Sequence, residues 1–112
     1  MQRIYSKQAK ARRTDTLPEL IRALCADYER RKIHITERDL PRRVIMEYAY
    51  LNSRIFDAAG EICGVTAAER FINEIGDGVG YAYTELEGYS ESTYKSYKAE
   101  ILGNIARKLH LA

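Results

Sequence analysis

Residues 41–64 read PRRVIMEYAYLNSRIFDAAGEICG, and this stretch decides the fold. Ile45, Tyr48, Ala49, Leu51, Ile55, Phe56, Ala59 and Ile62 recur three and four residues apart, the spacing of one broad apolar helix face. The helix is expected to start near Asp39 with Pro41 in its first turn, where a missing N–H costs nothing. Gly64 supplies a stop. A helix of this length and breadth of apolar face is predicted to be the central one.

Working outward, Leu17, Leu20, Ile21, Leu24, Cys25 and Tyr28 form a second helical stripe, with Thr16 as its expected cap and Pro18 in its first turn. Ile33 to Asp39 reads as a connector. Downstream, Thr66 and Glu69 are spaced as a capping box, and Ala68, Phe71, Ile72 and Ile75 follow as a core face ending at Gly76. Residues 76–80, Gly-Asp-Gly-Val-Gly, read as a flexible joint. Tyr81 to Glu87 is predicted as a short helix stopped by Gly88. Ser90 then caps a last helix over residues 91–109 with the stripe Tyr94, Tyr97, Ile101, Leu102, Ile105 and Leu109. Strand-like alternation, internal repeats and low-complexity runs are all missing from the sequence. The expectation is an all-α fold, a small orthogonal bundle of four or five helices. Residues 1–14 are read as a basic arm and 15–112 as one domain.

A chain of 112 residues suits one domain with one modest core. Its apolar runs are short and broken by charge, so no membrane association is expected. The basic start lacks the apolar segment of a signal peptide, and Cys25 and Cys63 are expected as free thiols, which together suggest a cytoplasmic setting. Net charge is +2, but it is unevenly spread. Residues 1–13 carry Arg3, Lys7, Lys10, Arg12 and Arg13 without an acid, and residues 29–43 are basic on balance. Residues 66–91 carry Glu69, Glu74, Asp77, Glu85, Glu87 and Glu91 against Arg70 alone.

No catalytic constellation is expected. The glycine run at 76–80 follows a helix rather than a strand and lacks the Lys-Ser/Thr of a phosphate loop. His34 and His110 stand apart from the cysteines and from paired carboxylates, so neither metal nor cofactor is expected. Glu47 and Glu61 read as solvated surface groups. An enzyme is therefore not the expected class.

The segment 80–98 reads as helix, glycine turn and Ser-capped helix, the order of a helix-turn-helix, placed at about 80–109. Ser90 would leave the positive amino end of the second helix facing outward, where a phosphate can sit. Ser92, Thr93 and Ser96 are small and polar enough for close approach to a groove, and Lys95 and Lys98 follow one turn on. Arg12 and Arg13 are expected to touch phosphates. Of the tyrosines at 81, 83, 89, 94 and 97, two or three are expected to pack the junction of the last helices.

Ser90-Glu91-Ser92-Thr93-Tyr94-Lys95 resembles the start of the recognition helix in sigma-factor-like helix-turn-helix regions. The longer pattern of Ser90, Thr93, Tyr94, Tyr97, Lys98, Glu100, Leu102, Ala106 and Leu109 resembles the C-terminal part of ArpU/RinA-type phage transcriptional regulators. The resemblance covers about residues 70–111, most closely 89–111. It implies a DNA-binding transcription regulator of phage or mobile-element origin. Double-stranded DNA would be the partner, with a homodimer formed through the long apolar helix. The alternative from the residues themselves is a small phage-encoded inhibitor, of the anti-CRISPR kind, whose acidic 66–91 stretch meets a host protein complex.

Overall fold

The computed structural model describes residues 16–111. The basic arm, with Arg12 and Arg13, lies outside the described residues. Five helices follow in order: α1 over 16–26, α2 (Tyr28–Glu37), α3 (Arg42–Cys63), α4 (Val65–Asp77) and α5 (Glu91–Lys108). A single 3-10 turn, Tyr81–Tyr83, lies between the last two, and none of the described residues is in a strand. The all-α bundle read from the sequence is what forms. No helix among the described residues is long and apolar enough to cross a membrane.

The two halves of the first rod are nearly continuous. Asp27 N–H donates to Ala23 O at 3.2 Å and Arg31 N–H donates to Asp27 O at 3.0 Å, so the ladder passes through the bend at Asp27. The expected connector at 33–39 is instead helical to Glu37, and Arg38 ends it in the left-handed region at φ 53°. Ile33 and Ile35 are weak helix formers, but Arg31 and Tyr28 tie this helix to Asn52 of α3, and tertiary contact overrides local propensity. Ile21, Cys25 and Tyr28 are buried as expected, whereas Leu20, at the edge of the stripe, is 46% exposed.

The α3 helix is long and unequally supported. Ile55, Ala58 and Ala59 are fully enclosed by α4 and α5, while Met46 and Tyr50, nearer its start, are open to solvent. It begins at Arg42 with Pro41 as the cap residue, slightly later than the spacing suggested. Gly64, at φ 84°, both ends α3 and begins α4. The predicted capping box does not form. The α4 helix starts one residue earlier than Thr66, and the Glu69 carboxylate accepts from Tyr28 Oη at 2.9 Å and Lys32 Nζ at 2.7 Å. A charge-assisted bond across two helices wins over a local cap. Lys32 holds the Glu69 carboxyl below its ordinary range, and burial pushes the Tyr28 phenol up.

Three polar residues stitch the bundle from within. Arg31 is buried, donating from Nε to Asn52 Oδ1 at 2.6 Å and from Nη2 to Leu24 O; Asn52 Nδ2 in turn donates to Tyr28 O at 3.1 Å. Burial pulls the Arg31 guanidinium down from its usual value, partly opposed by the Asp27 carboxylate, although Arg31 makes no ion pair among the described residues. Asn104 joins α5 to α3 by donating to Ala58 O at 3.0 Å and Glu61 Oε2 at 2.8 Å. Glu61, read as merely solvated, also pairs with Lys108 at 2.7 Å. Cys25 is a buried free thiol, pushed up to about 12 by burial despite the nearby Arg31. Arg31→Ala leaves Asn52 Oδ1 and Leu24 O without their donor, a loss of about 1–3 kcal/mol. Urea unfolding checks this, and a change under about 0.5 kcal/mol would mean the network contributes nothing net.

Candidate nucleic-acid interface

The amino end of α5 is set by the chain that leads into it. Gly88 turns at φ 87°, Tyr89 O accepts from Tyr81 Oη at 2.9 Å, and Ser90 adopts an extended backbone. Ser90 Oγ then accepts the Thr93 N–H at 3.2 Å and donates to Thr93 Oγ1 at 2.9 Å. The expected Ser90 cap is thus in place. Glu91 and Ser92 contribute the first N–H groups of the helix, which have no intrahelical acceptor. Ser90, Glu91 and Ser92 are exposed, so this positively polarised end faces solvent.

Tyr94 anchors the helix behind that end. It is 1% exposed, donates from Oη to Glu74 Oε1 at 2.7 Å, and packs its ring 5.7 Å from Phe71. Tyr89 and Tyr97 complete the ring cluster around Phe71, at 5.4 and 6.0 Å. Tyr83 stays out, 83% exposed.

The residues singled out from sequence separate into two sets. Ser92, Lys95 and Ser96 share the exposed face of the first turns, with Thr93 half-buried beside them. Lys95 pairs with Glu91 at 2.9 Å, but both side chains are more than half exposed, so the pair is weak and readily exchanged. Lys98 points the other way. Its Nζ donates to Val79 O at 2.5 Å and lies 5.1 Å from the Tyr94 ring centre. Desolvation lowers the Lys98 ammonium, partly opposed by the Glu74 carboxylate.

The first helix of the expected helix-turn-helix is absent. In place of a helix over Tyr81–Glu87 there is the 3-10 turn at Tyr81–Tyr83, then extended chain. Glu74 is the reason. Its buried carboxylate takes the Thr84 hydroxyl at 2.5 Å and the Glu85 N–H at 3.2 Å, and Thr84 Oγ1 takes the Leu86 N–H at 3.0 Å. Donors that a helix would aim at carbonyls are held by side chains instead. In the sequence Glu74 reads only as one of the acids of 66–91, although a carboxylate beside Phe71, Ile72 and Ile75 on a core face is a usable signal.

Neither a family model, nor a curated protein, nor a solved structure matches this chain. The interface therefore rests on its own geometry. That geometry offers small hydroxyls, free helix N–H groups and one exposed lysine, with Glu85, Glu87 and Glu91 also exposed. Among the described residues, no three His, Cys, Asp or Glu side chains gather as metal ligands.

Proposed function

We propose that the chain is a DNA-binding protein, a transcription regulator of phage or mobile-element type, and that α5 enters the major groove by its amino end. The observation that carries this reading is the solvent-facing, Ser90-capped start of α5. Its outward N–H groups suit a phosphate, and Ser92 and Ser96 permit close approach to base edges. Lys95 exchanges Glu91 for a phosphate or a guanine edge. Lys98, engaged with Val79 O, serves to orient the helix rather than to touch DNA.

Duplex binding is expected to weaken steeply with salt. Lys95→Glu should reduce affinity at least about tenfold at low salt, since it removes a phosphate cation and adds an acid. Lys98→Ala should lower the melting temperature more than it lowers affinity. Fluorescence anisotropy with a random duplex reads the affinities and thermal melts read the stability; no binding at low salt would sink the proposal. The second reading, an inhibitor acting on a host protein complex, is favoured by the exposed acids Glu85, Glu87 and Glu91 around the same end. Failure of the duplex experiment would leave that reading standing.

A further inference from the structure

We infer that the chain associates head to tail with a second copy of itself, through two complementary surfaces that lie apart on the bundle. The first surface is the corner between α2 and α3. Ile35, Leu40, Ile45 and Met46 floor a cleft of about 660 Å³, with Arg38 and Arg42 on its edge. Met46 is 61% exposed, and neither arginine makes an ion pair among the described residues. An apolar hollow beside two uncompensated arginines suits an apolar or aromatic side chain flanked by carboxylates.

The chain carries such a group itself. Among the described residues Tyr83 is the most exposed large apolar side chain, and Asp77 and Glu85 line the surface around it, with Glu87 also exposed. Arg70 lies nearby but forms no ion pair with these acids at 4.0 Å or less.

The packing of α4 places the two surfaces apart. Glu69 meets Tyr28 and Lys32, Asn73 donates to Glu29 at 3.1 Å, and Gly76 abuts Cys25 and Ala26. The α4 helix thus runs antiparallel to the rod, and the segment beyond it folds back along α4, with Tyr83 and Glu85 beside Arg70 and Asn73 and Glu87 beside Thr66 and Ala67. Arg38 lies nine residues beyond Glu29, the partner of Asn73, which is roughly 14 Å along the rod at 1.5 Å per residue. Tyr83 is not among the residues lining the cleft of its own molecule, so the contact inferred is between copies. Joining unlike surfaces makes an open or ring-closed series rather than a two-fold dimer. A single small cleft makes a weak, salt-sensitive contact. This inference is independent of the DNA reading.

The test uses the full chain, treated with nuclease and freed of nucleic acid, in sedimentation velocity. The wild type is expected to sediment faster as concentration rises from about 10 μM to about 1 mM, the range of weak complexes, and to return to monomer near 1 M salt. One variant carries Arg38→Glu and Arg42→Glu, the other Glu85→Lys and Glu87→Lys. All four side chains are exposed, and circular dichroism confirms that each variant is folded. Each variant alone should remain monomeric. Mixing them should restore association, because reversed corner then meets reversed loop. A wild type that stays monomeric overturns the inference, as does association that survives either reversal. Failure of the mixed variants to associate overturns it too.

Discussion

Gly76→Ala is expected to lower the melting temperature by more than about 10 °C. Local propensity alone would give the opposite sign, since alanine inside a helix is favoured over glycine by about 1 kcal/mol. The crossing of α1 and α4 decides the outcome. A Cβ at position 76 would stand 2.5 Å from Ala26 N, 2.6 Å from Ala26 Cα and 2.8 Å from the Cys25 carbonyl carbon. These are backbone atoms of a helix, so no side chain can rotate away. The α1 helix must move off α4 and take the buried Ile21 and Cys25 partly with it. Overpacking of this kind costs about 3 kcal/mol or more, and each kcal/mol shifts the melting point of a domain this size by about 4–8 °C. Gly78 provides the control. It has φ 70° but nothing within 4 Å, so Gly78→Ala meets only backbone strain of about 1–2 kcal/mol. Thermal melts followed by circular dichroism separate the two. A Gly76→Ala protein that melts with the wild type would show that α1 does not cross α4 this closely.

Glu74→Ala should be nearly as damaging, but its effect should be concentrated at the loop before α5. The carboxylate is 9% exposed and receives the Tyr94 hydroxyl, the Thr84 hydroxyl and the Glu85 N–H. Alanine deprives all three donors at once, and Tyr94 is itself buried. Hydrogen bonds to a charged group contribute about 1.5–3 kcal/mol each, though they do not add fully, so a loss of about 3 kcal/mol is expected. Glu74→Gln keeps one acceptor and should fall between. The order wild type, Gln, Ala should appear in both the urea midpoint and the near-ultraviolet signal of the packed tyrosines. If the alanine variant equals the wild type in both, the loop is held by something other than this carboxylate.

Helix faces were legible where the apolar period was long and uninterrupted. Ile55 and Ala59, Phe71, Ile72 and Ile75, and Tyr94, Ile101 and Ile105 were all placed on the core side by spacing alone, and they are buried. What sequence did not reveal was decided by partners distant along the chain. Ile33 and Ile35 look like connector residues until Arg31 and Asn52 tie α2 to α3. Glu69 looks like a cap partner until Tyr28 and Lys32 approach it from another helix. The residues 81–87 look helical because nothing in their own composition shows that Glu74 will take the Thr84 hydroxyl and the Glu85 amide. The candidate interface was half legible. The Ser90 cap follows from local chemistry, whereas the division between Lys95, outside, and Lys98, inside, depends on where Val79 O falls.

The uneven support of α3 has a consequence for how the molecule breathes. Its later residues, such as Ile55 and Ala59, are fully buried, while Met46 and Tyr50 on its early turns are open to solvent. A continuous helix in this position need not exchange its amide protons as one unit. Deuterium should enter the Arg42–Tyr50 turns through small openings that leave the rest of the bundle intact, and reach the Ile55–Ala59 turn only when the whole chain unfolds.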